Sequence, residues 1–242
     1  MTRMTGWWLI PPGEMVMSVN LAQNIEETQQ RIEAAAHRSG RRGHEINLVA
    51  VTKTVDSVTV KNAYNFGISD FGENRVQELI HKQADLPQAR WHFIGRLQTN
   101  KVKSLVGRTC LIHSLDRWQL AYEIDKHARQ MGISVPVLVQ VNITGERSKT
   151  GFAVEEVQGL FDSLPELSNL EIKGLMTIAA EDVNPEKSRP VFRELSRLRS
   201  RLNYKSGANI DLKYLSMGMS QDFEVAIEEG ANIVRIGSAM FK

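Results

Sequence analysis

Short, near-continuous apolar runs alternate along this chain with longer stretches in which apolar residues recur every three to four positions. The runs lie at residues 47–52, 68–71, 90–94, 109–114, 135–142, 171–177, 213–217 and 233–236. Their apolar character suits parallel strands covered on both faces. Amphipathic patterns at 58–66, 76–84, 100–105, 118–131, 154–164, 186–202 and 222–229 predict a helix after each of the first seven strands. Asp116 is the expected N-cap of the helix over 118–131, and Pro185 a first-turn residue of the helix over 186–202. Gly67, Gly107, Gly132 and Gly230 stand where helices end before the next strand.

Strict alternation of strand and helix predicts a parallel sheet with right-handed crossovers. Eight units point to an α/β fold of one kind, a single (β/α)8 TIM barrel. The chain stops at Lys242, which leaves no room for a helix after the eighth strand. A long amphipathic pattern over about 21–38 precedes the first strand and is expected to fill that gap in the outer ring. The rival is an open doubly wound sheet; no GxGxxG follows the first strand to support it.

Composition changes this picture little. At 242 residues, 42% hydrophobic and 24% charged, the chain suits one globular domain. Net charge is 30 − 28 = +2, too small to argue for nucleic acid or an anionic membrane. The one cysteine, Cys110, excludes an intramolecular disulfide, and the six histidines show no metal-ligand spacing. The apolar stretch from Gly6 to Pro12 is too short for a membrane span and is broken by two prolines. Residues 1–16 are therefore expected to be an extension, disordered or upstream of the functional start, and 17–242 the barrel domain.

Candidate chemistry lies where a parallel barrel places it, at the C-terminal ends of the strands. The residues there are Lys53, Glu73, Asn74, His92, His113, Gln140, Asn142, Met176, Thr177, Ser216, Gly237 and Ser238. Lys53 closes an apolar strand, so its amine is expected to be desolvated at the mouth and able to attack an aldehyde. Most lysines are simply solvated, and only this position lifts Lys53 above that reading. The turns Ser216-Met217-Gly218-Met219-Ser220 and Arg235-Ile236-Gly237-Ser238 look built to hold a phosphate. Ser220 is expected to open the last helix, with Arg235 adding charge. An amine facing a phosphate cradle suggests pyridoxal 5′-phosphate (PLP).

Other signals are weaker. Gly95-Arg96-Leu97-Gln98-Thr99-Asn100-Lys101 is not a P-loop, because Asn100 stands where glycine is required. Arg189, Arg193, Arg197 and Arg201, interleaved with glutamates, read as a solvated helix face. His92 and His113 read as isolated residues, structural or ligand-touching. Trp91 and Cys110 read as core.

At these residues the chain resembles the pyridoxal phosphate homeostasis proteins (the YggS/PROSC family). The matching segments are Ala50-Val51-Thr52-Lys53-Thr54, Phe71-Gly72-Glu73-Asn74 with Val76-Gln77-Glu78, Trp91-His92-Phe93-Ile94-Gly95, Gly174-Leu175-Met176, Leu215 through Ser220, and Val234-Arg235-Ile236-Gly237. The resemblance implies a barrel like the N-terminal domain of bacterial alanine racemase, of PLP fold type III. It implies that Lys53 forms the Schiff base, Asn74 lines the pocket, Met176 packs by the ring and Ser216 lies near the pyridine nitrogen. Arg235, Gly237, Ser238 and Ser220 would hold the phosphate. Ser238 stands where many relatives have threonine.

A hydroxyl rather than a carboxylate at the ring nitrogen predicts a weak electron sink. A racemase also needs a second acid/base, which in related racemases is a tyrosine from a second domain. Tyr64, Tyr122, Tyr204 and Tyr214 fall away from the expected mouth. The expectation is a cytoplasmic, monomeric, non-catalytic PLP carrier in vitamin B6 homeostasis, with PLP-dependent apo-enzymes or a regulatory protein as partners. The alternative is a PLP-dependent amino-acid racemase.

Overall fold

All eight predicted strands are present and every pairing between them is parallel. The computed structural model describes residues 12–146, 149–163, 166–180, 182, 184–202 and 209–242, with side chains from residue 20. The strands are β1 (Asn47–Val51), β2 (Asp70–Glu73), β3 (Arg90–Phe93), β4 (Leu111–Leu115), β5 (Val135–Asn142), β7 (Leu170–Met176), β8 (Ile210–Ser216) and β9 (Ile233–Ile236). Neighbours run β1-β2-β3-β4-β5-β7-β8-β9, and β9 pairs back onto β1, so the sheet closes into a barrel. A two-residue piece, β6 (Phe152–Ala153), joins the end of β5 and was not expected.

Helices follow the strands: α2 (Ser57–Asn65), α3 (Val76–Asp85), α4 (Val102–Leu105), α5 (Trp118–Met131), α6 (Glu156–Asp162), α7 (Arg189–Arg201) and α8 (Phe223–Glu228). The pattern over 118–131 matches α5 because Gly132, at φ 66°, ends it in the left-handed region that glycine adopts without strain. The far end of the predicted helix over 154–164 lies outside the described residues. Asp116 does not cap α5. Arg117 holds the N-cap position without a side-chain bond, and the Asp116 carboxylate pairs instead with Arg117 and, at 3.6 Å, Arg96. Pro185 does begin a turn of 3-10 helix ahead of α7, capped by Asn184.

Helix α1 (Pro12–Arg38) fills the outer ring as expected, but starts earlier than the pattern indicated. A proline is well tolerated at a first helical position. The expected boundary at residue 16 thus falls inside α1, while residues 1–11 lie outside the described residues. Arg31 and Arg38 bind Glu224 and Glu228 of α8 at 3.0 and 2.7 Å, and Arg31 lies over the Phe223 ring. The chain also finds room for a one-turn helix after the last strand, α9 (Ser238–Phe241), whose Met240 carbonyl accepts from Asn24 of α1.

Two apolar regions hold the barrel. The larger lies between strands and helices and contains Phe71, Trp91, Phe93 and Phe192. Trp91 is core, as expected, and its indole N–H donates to the Leu86 carbonyl. Cys110 is not; β4 begins one residue later and leaves it exposed. The smaller cluster takes Val49, Leu111, Leu138, Met176 and Ile233 from five strands, with Tyr214 against it, and so marks the lumen. The rest of the lumen is polar, and that composition defines the site.

Candidate functional site

Lys53 stands two residues beyond Val51, where β1 ends. Beside β1 runs β9, with Val49 opposite Arg235 and Ala50 opposite Ile236. Gly237 follows directly. A Cβ placed on it would lie 3.1 Å from the Val51 carbonyl oxygen. The lysine and the small-residue turn therefore share one barrel mouth. The lysine is exposed, contrary to the expectation of a desolvated amine. The apolar strand stops short of it, so the strand's burial does not extend to its side chain.

The two turns form one cup. The backbone N–H groups of Gly237 and Ala239 both donate to the Ser220 hydroxyl oxygen, at 3.2 and 3.3 Å. Asp222 accepts from the Met219 N–H at 2.7 Å and fixes the preceding turn. Gly218 has φ +92°, and a Cβ there would lie 2.6 Å from Ala226 Cβ, so the turn presses closely onto α8. Ser220 does not open that helix, because α8 begins at Phe223 with Asp222 at its N-cap. The cup's donors are backbone N–H groups at the start of α9, Gly237 at its N-cap and Ala239 in its single turn, not the end of α8. Ser238 is exposed at the start of α9, beside them.

This donor set fits a phosphate. Two N–H groups converge on one oxygen, that of the Ser220 hydroxyl, and Ser238 stands beside them.

A buried ion pair braces the lysine's approach. Lys82 of α3 donates to Glu73 at 2.6 Å and to the Thr52 carbonyl at 2.7 Å. The Thr52 hydroxyl also donates to Glu73, at 2.7 Å. Asn74, the next residue, is exposed at the rim, and its N–H donates to Glu73. Sequence reasoning misses Lys82, because nothing in a helical lysine signals burial.

The lumen holds the residues that the sequence could not connect. Arg235 is buried and donates to the Ser216 hydroxyl at 2.6 Å and to the Thr177 carbonyl at 3.0 Å. Its guanidinium therefore lies with Ser216 on the floor of the mouth, not with the N–H groups of the phosphate cup where it was expected. The reason is strand parity. Arg235 is still within β9 and points into the lumen, whereas the cup forms after the strand has ended. Burial lowers the Arg235 pKa to about 10, with Asp222 acting in opposition. Its hydrogen-bond partners are neutral, so the floor carries positive charge suited to an electron-rich ligand edge. Met176 lies opposite Ser216 in the β7–β8 register and is fully buried.

From Ser216 the contacts continue. His113 Nδ1 lies 2.9 Å from the Ser216 hydroxyl, His113 Nε2 lies 2.9 Å from His92 Nδ1, and His92 Nε2 lies 2.9 Å from Asp70. Arg90 donates to the other Asp70 oxygen at 2.6 Å. Burial raises the Asp70 pKa, but hydrogen bonds from His92, Arg90 and Ser69 outweigh it and bring the value down to about 2. Because that is below the unfolded value, Asp70 adds stability above about pH 4 that is lost as pH falls toward about 2. Melting curves between these limits should show a steeper acid loss for the native protein than for Asp70→Asn. Parallel acid limbs would refute it.

The chain matches the alanine racemase N-terminal domain family over residues 20–242. It is 47% identical over 225 residues to a pyridoxal phosphate homeostasis protein of Aquifex aeolicus, covering 92% of this chain and 98% of that one. The chain belongs to the pyridoxal phosphate homeostasis protein family. A solved relative, PipY of Synechococcus elongatus PCC7942 with PLP bound, is 32% identical with a TM-score of 0.78, covering 92% of this chain and 100% of that one. Alanine racemase of Bartonella henselae, at 15% identity and a TM-score of 0.71, shares the fold over 93% of this chain and 60% of its own. Lys53, the Gly237 turn and Ser216 stand at one mouth of the barrel. No helix among the described residues is long and apolar enough to cross a membrane.

Proposed function

We propose that this protein binds PLP reversibly through a Schiff base at Lys53 and serves PLP homeostasis as a carrier without turnover. The observation that supports it most is the adjacency of the lysine's strand end to the Gly237–Ser220 cup. The relative PipY, solved with PLP bound, points the same way.

In this reading, residues 17–242 are the binding domain. Gly237, Ala239, Ser220 and Ser238 hold the phosphate. Asn74 lines the rim and Met176 supports the ring from the lumen. Arg235, held by Ser216, faces the ring nitrogen. When bound, PLP supplies an aldehyde for the amine and a ring able to withdraw electrons. A guanidinium donates hydrogen bonds and does not accept them, so this floor keeps a ring nitrogen unprotonated and the ring a weak electron sink.

Racemase chemistry needs a second acid/base across from the lysine. Among the described tyrosines, Tyr64 packs against the core on α2, Tyr122 is half exposed on α5, and Tyr214 packs in the lumen. Tyr204 lies outside the described residues. We extend the proposal to a cytoplasmic monomer that delivers PLP to apo-enzymes or answers to a regulatory protein.

Borohydride reduction of the PLP-loaded protein followed by peptide mapping tests the site. The reading expects one reduced adduct, on Lys53. Incubation with single amino-acid enantiomers tests the role, and sustained racemisation would overturn the carrier.

A further inference from the structure

We propose that Asp70, His92 and His113 are positioning residues that set the direction of every hydrogen bond from the N-terminal end of the lumen to Ser216. They thereby aim the Arg235 guanidinium at the cofactor site. This rests on the PLP-binding reading above for its functional consequence, although the hydrogen-bond direction itself does not.

Donors and acceptors fix the direction. An ionised Asp70 can only accept, so His92 must carry its hydrogen on Nε2, 2.9 Å away. A neutral His92 then offers a bare Nδ1, and the facing His113 Nε2 must donate to it. A neutral His113 is left with a bare Nδ1, so the Ser216 hydroxyl must donate there. Ser216 then has only lone pairs for Arg235, which can only donate. Both ends of the line are fixed by groups that cannot reverse, and one arrangement with two neutral histidines satisfies every atom between them. Such fully satisfied buried networks are rigid, since breaking one bond leaves a buried polar group unpaired.

The surroundings favour the neutral state of His113. It is wholly buried, with His92 from β3 and Arg235 from β9 beside it, and burial first, then these neighbours, hold its pKa well below the ordinary histidine value. Arg90 pairs with Asp70 at the far end, where the Cys110 thiol also feels both charges. Tyr214 acts on Arg90, and Asp222 on Arg235. The His113–Ser216 step links β4 to β8 across the lumen, so the line also ties opposite walls of the barrel together.

The consequence concerns Ser216. Its hydroxyl hydrogen is held by His113, so it cannot donate to a ring nitrogen. It serves as the acceptor that orients Arg235, and the guanidinium alone presents donors.

Nitrogen-15 spectra of histidine-labelled protein without ligand read this directly. We expect both His92 and His113 to carry the hydrogen on Nε2 at pH 7, and His113 not to titrate near pH 6.5. A hydrogen on Nδ1 of either ring, or a titration of His113 near the ordinary value, would overturn the proposal even if PLP binds. For the functional half, PLP release is compared in His113→Phe and His113→Gln. The phenylalanine variant should release PLP about tenfold faster, with a displaced visible absorption maximum, because the line to Arg235 is cut. Glutamine, which keeps a donor and an acceptor, should restore most of both. Equal release and unshifted spectra in both variants would remove the positioning role. Should the phenylalanine variant fail to fold, the nitrogen spectra still decide the direction. Failure of the native protein to bind PLP would sink the carrier reading and leave the histidine result standing.

Discussion

Lys53→Ala abolishes the visible absorption of the PLP-loaded protein and the borohydride-trapped adduct, while leaving the fold intact. Loss of the covalent signal should be complete, because the other groups at the mouth, hydroxyls, amides and the Arg235 guanidinium, cannot replace a primary amine. Stability should change by no more than about 0.5 kcal/mol, as for surface substitutions away from special features. The residue is exposed, and no hydrogen bond or ion pair holds it among the described residues. Weak non-covalent binding should remain through the Gly237–Ser220 cup. Lys53→Arg separates charge from chemistry. It keeps the positive charge yet should lose the signal as fully as alanine. Absorbance spectra, intact mass after reduction and thermal melts measure all of this. A reduced adduct surviving on another lysine would show that the cup serves a different amine.

The barrel was legible because its signal is local. Apolar runs, amphipathic spacings and the glycines that end helices each lie within a short window, and α5 between Arg117 and Gly132 matches its predicted ends. Lys53 and the two turns were legible for the same reason. The lumen was not. Asp70, His92, His113, Ser216 and Arg235 come from five strands, and His113 and Ser216 lie 103 positions apart. The available clue is alternation, since each of these residues occupies an inward position of a strand and most of their outward neighbours, such as Phe71, Trp91, Phe93, Ile112, Leu215 and Val234, are apolar. A reading of the strands as uniformly apolar discards it. The Arg235 side chain turns to Ser216 and Thr177 for the same reason, because closeness in sequence to Gly237 is not closeness of side chain. Ser220 departs from its expected place for another reason. Helix α8 begins only at Phe223, the Asp222 carboxylate ties back to the Met219 N–H, and the serine is left to meet the turn after β9.

Lys82→Met should destabilise the protein by about 3–5 kcal/mol, since it strands the Glu73 carboxylate in a buried site. In a chain of this size that lowers the melting temperature by roughly 6–20 °C. Both partners are nearly inaccessible, at 5% and 0% side-chain exposure. The pair matters beyond stability because Lys82 also donates to the Thr52 carbonyl, the peptide unit that leads into Lys53. Replacing both partners, Lys82→Met with Glu73→Leu, removes the stranded charge and should recover most of the lost stability. It does not restore a donor to the Thr52 carbonyl. The double variant should therefore melt close to the native protein yet bind PLP more weakly, a separation that general damage to the fold would not produce. Calorimetry and PLP titration on the three proteins decide the matter. A stable single variant would show that the pair is dispensable. Native PLP affinity in the double variant would show that the lysine's strand end holds its course without the ammonium behind it.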